Sequence, residues 1–203
     1  MEQITNQITL RGNLISLPEF SHENHGKQFF RFYLEVPRLS GAVDILPVVV
    51  ADQILNSFDL TAGEMLTVTG QVRSHNIQGE EKRKLLIFVF AFSIAAEDGE
   101  PINEVSLKGL ICREPVYRRT PLGREICDLM LAVPRAFHRA DYLPCILWGK
   151  TAQQGSELHT RDTVRICGRL QSRIYTKVTE FGAEERTAYE ISALSAEIPE
   201  EMI

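Results

Sequence analysis

Apolar and polar residues alternate along most of this chain, with the two-residue period of β-strands. In the second half, Val105, Leu107 and Ile111 are separated by polar positions. Cys127, Leu129, Leu131 and Val133 alternate with Asp128, Met130 and Ala132, and Val164, Ile166 and Leu170 alternate with Arg165, Arg169 and Gln171. Runs at Tyr142–Trp148 and Ala188–Leu194 complete five predicted strands. The first half follows the same plan at Ile8–Leu14, Phe30–Val36, Ile45–Val50, Leu66–Val72 and Leu85–Ile94. Good helix formers cluster between the third and fourth strands, at Asp52–Phe58 and Thr151–Leu158. Turn chemistry such as Thr120-Pro-Leu-Gly123 and Phe181-Gly182 separates the strands.

The two halves match residue by residue. Asn6-Gln-Ile-Thr-Leu-Arg-Gly12 returns as Asn103-Glu-Val-Ser-Leu-Lys-Gly109, and Leu34-Glu-Val-Pro-Arg38 as Leu131-Ala-Val-Pro-Arg135. A constant offset of roughly 97 positions also superimposes Pro18 on Pro115, Gly26 on Gly123 and Asp44-Ile-Leu-Pro47 on Asp141-Tyr-Leu-Pro144. A tandem duplication follows, with predicted domains at 1–100 and 101–203. Five strands with one short helix after the third is the order of the Greek-key OB barrel, whose ligands are oligonucleotides and oligosaccharides. The expected fold is all-β, two tandem OB-fold five-stranded barrels, each with one short helix. Strand count alone leaves an SH3-like barrel or a small sandwich open.

Composition narrows the function classes. At 203 residues, 44% hydrophobic and 24% charged, the chain reads as globular. Cys112, Cys127, Cys145 and Cys167 sit singly in apolar runs without C-x-x-C spacing, so reduced thiols are expected rather than a zinc site or disulfides. The start, Met1-Glu-Gln-Ile-Thr5, lacks a basic, apolar leader, and no apolar run approaches the ~20 residues that span a bilayer. A cytoplasmic protein with no membrane contact is the expectation. The net charge of −5 argues against a nucleic-acid binder, but it is unevenly spread. Residues 1–100 carry 8 Lys/Arg against 13 Asp/Glu, whereas residues 101–203 carry 14 against 14. The second copy is the more basic.

Three segments of that copy carry a resemblance: Tyr142-Leu-Pro-Cys-Ile-Leu-Trp-Gly-Lys150, then Asp162-Thr-Val-Arg-Ile-Cys-Gly-Arg-Leu-Gln-Ser-Arg-Ile-Tyr175, then Arg186-Thr-Ala-Tyr-Glu-Ile-Ser192. Together they resemble bacterial single-stranded DNA-binding proteins, in a variant with two fused OB domains. In that family an aromatic opens the third strand, which ends in aromatic-Gly-Lys, and the fourth strand reads Gly-x-Leu-x-[Ser/Thr]-Arg. The resemblance implies single-stranded DNA binding in replication, recombination or repair, with Tyr142 and Trp148 as stacking aromatics. It also implies a homodimer presenting four OB domains. Replication or repair proteins are further partners the resemblance implies, although the family's usual acidic tail ending in Pro-Phe, which recruits them, has no counterpart in Glu197-Ile-Pro-Glu-Glu-Met-Ile203.

The strand pattern supports these assignments independently. If Leu143, Cys145 and Leu147 point inward, then Tyr142, Pro144, Ile146 and Trp148 point outward, an apolar strand face that suits base stacking or a protein interface. By the same alternation Arg165, Arg169 and Arg173 form an outward stripe suited to phosphates, where the first copy has Thr67, Gln71 and His75. The loop Arg113–Glu125 interleaves Tyr117 with Arg113, Arg118, Arg119 and Arg124 and borders the groove of an OB fold. Lys150 and Tyr175 extend the site, and Phe137-His-Arg-Ala-Asp141 offers a second, weaker clamp. The first copy replaces the stacking pair by Ile45 and Ala51, so it is expected mainly to scaffold, extend the path or hold a partner chain. His22-Glu-Asn-His25 reads as a solvated turn, without the further ligands a metal needs. Phosphate-loop, nucleophile-elbow and H-E-x-x-H motifs are absent, and neither cofactor nor enzymatic activity is expected. Two other readings stay open: a primosome-type OB module for a replication partner, and an RNA-binding OB protein.

Overall fold

A computed structural model describes residues 5–78, 83–179 and 182–198. The first half comprises β1 (Asn6–Leu14), β2 (Glu19–Asn24), β3 (Lys27–Pro37), β4 (Val43–Ala51), α1 (Asp52–Leu55), β5 (Met65–Gln78) and β6 (Arg83–Ala96). The second comprises β7 (Ile102–Ile111), β8 (Val116–Arg119), β9 (Glu125–Arg135), β10 (Arg139–Trp148), α2 (Gly149–Gly155), β11 (Thr163–Thr179) and β12 (Gly182–Glu197). The five strands expected in each half are present. The sequence reading took Arg113–Glu125 as a loop, but it contains a sixth, short strand: β8 pairs antiparallel to β9, with Val116 opposite Asp128 and Arg119 opposite Glu125. The helices also differ from expectation: α1 stops at Leu55, and α2 starts at Gly149 directly after the strand. No helix among the described residues is long and apolar enough to cross a membrane.

Each half closes as an OB barrel. In the first, β1 pairs β5, β5 pairs β6, β6 runs parallel to β4, β4 pairs β3, and β3 returns to β1 at Asn13–Glu35 and Leu14–Leu34. The second repeats this with β7, β11, β12, β10 and β9. Alternation fills the interior: Phe32, Leu34, Leu46, Val48, Leu131, Leu143, Leu147 and Leu170 are fully buried. The repeated glycines mark where backbones touch. A Cβ on Gly12 would lie 2.4 Å from the Glu35 carbonyl oxygen, and one on Gly109 would lie 2.5 Å from that of Ala132. Barrel closure at these points excludes any side chain.

The barrels join edge to edge. β1 pairs antiparallel with β7 from Asn6–Leu107 to Arg11–Ile102, producing one continuous twelve-stranded sheet. The pairs are reciprocal: Asn6 meets Leu107 as Leu10 meets Asn103, and the repeat-equivalent Ile8 and Val105 meet at the centre. The register therefore defines a pseudo-twofold axis through the Ile8–Val105 pair.

A second, reciprocal contact obeys the same axis. The buried carboxylate of Asp44 accepts the Ser172 backbone N–H at 2.6 Å and the Ser172 hydroxyl at 3.2 Å. Asp141, its repeat equivalent, accepts the Ser74 N–H at 2.7 Å. Arg38 donates to Asp44 through Nε at 2.7 Å and to the Ser172 carbonyl at 2.9 Å, and the bond to Asp44 raises its already high pKa. Asp141 instead stands between Arg73 (3.4 Å) and Arg135 (3.3 Å). Burial, and then the neighbouring Arg135, lower the Arg73 pKa. Replacing Asp44 by Ala leaves Arg38 and the Ser172 N–H without their acceptor. Urea unfolding should show a loss of about 3 kcal/mol, against about 1 kcal/mol for Ser172→Ala. An unchanged midpoint for Asp44→Ala would mean that this contact does not hold the barrels together.

Candidate nucleic-acid interface

The outer face of the second barrel is a groove of about 1100 Å³ built by β8 to β12. Its floor comes from alternate residues of β10, namely Pro144, Ile146 and Trp148, flanked by Ile126 and Asp128 of β9 and by Glu190, Ser192 and Leu194 of β12. Arg169, Gln171 and Arg173 of β11 line one side; Arg113, Val116, Arg118 and Arg124 line the other. The first half contributes Arg38 and Ser40, so the groove reaches the junction between barrels.

Trp148 is fixed within it: its indole N–H donates to the Ser192 hydroxyl at 3.1 Å while 37% of the residue stays exposed. The inward set expected for β10 is buried as read. Ile146 departs from expectation, being 9% exposed rather than open, because β10 is an interior strand with Asp128 and Ser192 paired on either side. Tyr142 shares the Trp148 face by alternation and is 45% exposed, but it lies at the seam, where its backbone N–H donates to the Ser74 hydroxyl at 2.8 Å. Leu194 is the extra residue of a bulge, since Cys167 pairs with Ser195 and Gly168 with Ala193. It projects into the groove, 73% exposed.

The cations are held unequally. Arg118 is paired with Asp128 at 2.8 Å. Arg173 lies 3.7 Å from the buried Glu190, which also accepts the Gln171 amide at 2.8 Å, and its guanidinium sits 5.6 Å from the Tyr175 ring centre. Arg169 Nε is buried with no hydrogen-bond partner. Buried polar groups are ordinarily paired, so this N–H stands out in the lining of the groove.

The structure thus brings Trp148, Arg113, Arg118, Arg124, Arg169 and Arg173 into one groove. Tyr175 continues its β11 face along the hairpin arm, and Tyr142 its β10 face toward the first barrel. Four expected residues lie elsewhere. Alternation on β8 turns Tyr117 and Arg119 to the face opposite Val116 and Arg118. There Arg119 pairs with Glu125 at 2.9 Å, and Gln153 of α2 donates to the same carboxylate at 2.7 Å. The bond between Tyr117 and Glu125 raises the tyrosine pKa and lowers that of the glutamate. Lys150 is exposed in the first turn of α2, and Arg165 is exposed on β11 opposite Lys108 and Glu197; neither lines the groove. Asp141, read as part of a loop clamp, is a buried inter-barrel acceptor, while Phe137 of that loop is 90% exposed. What the sequence missed is Arg38 and Ser40: only the packing of one barrel on the other brings them to this groove. His25 and Gly26, with φ of 50° and 71°, form the turn between β2 and β3. No group of His, Cys, Asp and Glu among the described residues is placed to hold a metal.

Residues 102–198 match the sequence profile of the single-strand binding protein family. Single-stranded DNA-binding protein B of Bacillus subtilis is 35% identical over 80 residues, a match covering 36% of this chain and 71% of that protein. The chain belongs to the single-strand binding protein family. Single-stranded DNA-binding protein 2 of Listeria innocua, another member, is 31% identical over 81 residues, and there the match spans only 51% of the relative. A deletion variant of the single-stranded DNA binding protein from Thermus aquaticus superimposes with a TM-score of 0.80 at 25% identity, over 100% of this chain and 98% of that one. The wild-type Thermus aquaticus protein, at 24% identity, shares the fold with the same TM-score. The likeness of fold therefore extends over both barrels, whereas the family profile matches the second.

Proposed function

We propose that this protein binds single-stranded DNA without sequence preference, serving replication, recombination or repair, and that the second barrel carries the main binding groove. The observation that carries the reading is Trp148, held by Ser192 on the floor of a groove whose lining includes six arginines against three carboxylates. A base stacks on any aromatic face whatever its identity, which is what an unselective binder requires. Guanidinium groups supply the phosphate contacts bidentately. Trp148 and Tyr142 are assigned to bases, and Arg113, Arg118, Arg124, Arg169 and Arg173 to the backbone, with Arg38 added from the first barrel. Tyr175 lies along the exit. Tyr117, Arg119, Lys150 and Arg165 would serve only a strand that wraps beyond the groove. This is a binding role with no catalytic step.

Titration with oligo-dT should quench Trp148 emission, and Trp148→Ala should weaken binding by about 1–3 kcal/mol. Over a salt series, log affinity should fall with a slope of about −0.7 per phosphate neutralised, and replacing Arg169 and Arg173 by Gln should flatten that slope. Unchanged emission with no binding at low salt would contradict the reading. Oligo-rU binding more tightly than oligo-dT would favour RNA.

The protein is further inferred to act as a homodimer presenting four barrels. Support comes from the β11–β12 arm, where Ile174 and Val178 are 68% and 81% exposed, apolar positions that a second chain would cover. Light scattering after gel filtration should return twice the chain mass of 23.0 kDa. A monomer mass would remove the dimer and leave the groove assignment standing.

A further inference from the structure

Glu190 puts a negative charge into a groove lined by arginines. It stands on the groove face of β12, two residues before Ser192, with its side chain only 8% exposed. A carboxylate so enclosed is costly unless cations and donors compensate it. It accepts the Gln171 amide at 2.8 Å. Arg173 Nε stays 3.7 Å away, beyond a hydrogen bond, and 56% of that side chain is exposed. Arg38 and Arg118 have carboxylates of their own, Asp44 and Asp128, whose bonds are the first cause of their raised pKa; Glu190 adds to the rise in both. One buried charge is thus shared by arginines from β11, from β8 and from the loop after β3 of the other barrel.

Barrel architecture does not require that charge. Ser74 and Ser172 occupy the same place in the two copies, each donating its backbone N–H to the buried aspartate across the seam. Counted from them, the pair Gln171–Glu190 in the second barrel matches the pair Arg73–Phe88 in the first. The first barrel therefore closes the same sheet with a neutral residue where the second has Glu190.

We propose that Glu190 is an internal competitor for the phosphate backbone: it holds Arg173 in the empty groove and lowers the affinity for single-stranded DNA, so that a bound strand dissociates readily. The inference rests on the nucleic-acid reading of the second barrel. A phosphate that takes Arg173 draws it from Glu190 and comes to rest near a charge of its own sign, which opposes binding. Arg38 and Arg118 cannot relieve that repulsion in full, because Asp44 and Asp128 already hold them. Gln171 keeps its place whether Glu190 is charged or neutral, since an amide oxygen accepts a hydrogen bond as a carboxylate oxygen does. Charge and positioning are therefore separable at this residue.

Glu190→Gln in the full chain removes the charge and keeps the shape. Labelled oligo-dT, followed by anisotropy over a salt series, should bind this variant about tenfold more tightly at low salt. The slope of log affinity should steepen by about 0.7, one more phosphate being neutralised. A chase with unlabelled oligomer should release the strand about tenfold more slowly than from the wild type. Glu97→Gln, which frees Arg11 from an exposed pair outside the groove, is the control and should change affinity by less than about twofold. Equal gains from the two variants would reduce the effect to net charge and overturn the inference. Unchanged or weaker binding by Glu190→Gln with an unchanged slope would also overturn it, leaving Glu190 as a structural support. Glu190→Leu, neutral as Phe88 is, carries the same expectation and the same refutation should Glu190→Gln not fold. Absence of binding and of Trp148 quenching in the wild type would overturn the reading of the groove, and this inference with it.

Discussion

The antiparallel pairing of β1 with β7 is the contact from which the other features of this molecule follow. An OB barrel leaves part of its first strand unpaired on one side, and an exposed edge is a liability in any sheet. Here each copy covers the edge of the other, and the register makes the residue pairs reciprocal about Ile8 and Val105. That symmetry sets the Asp44–Ser172 and Asp141–Ser74 bonds, brings Arg38 to the groove of the opposite barrel, and puts Tyr142 at the seam. The two copies thus share one continuous sheet.

Local charge along the groove departs from the net charge of the chain. The chain carries −5 overall, yet arginines outnumber carboxylates two to one along the groove. The carboxylates there act on the arginines: Asp128 holds Arg118, and Glu190 positions Gln171 and Arg173. Anchored side chains lose less entropy when a ligand arrives. The Nε of Arg169 has no such anchor among the described residues.

Much of the fold was legible because period-two alternation reports burial directly, and because two copies of one unit check each other. The barrel order, the inward residues of β10 and the outward aromatics could be read from single strands. β8 could not, since Val116–Arg119 is too short to show a period and is a strand only through its pairing with β9. That pairing also separates Tyr117 and Arg119 from Arg118, which the spacing in a supposed loop gave no reason to expect. The aromatics of the first barrel escape a single-strand reading for a different reason. Position-by-position comparison finds Ala51 in place of Trp148, whereas Phe29 and Phe90 lie on neighbouring strands that only the sheet brings together.

Ultraviolet crosslinking of oligo-dT to the protein, with peptide mapping by mass spectrometry, tests the central claim most directly. The account predicts adducts on the β10 and β11 peptides that contain Tyr142, Trp148 and Tyr175. Adducts confined to the opposite face, at Tyr117 and α2, would contradict it.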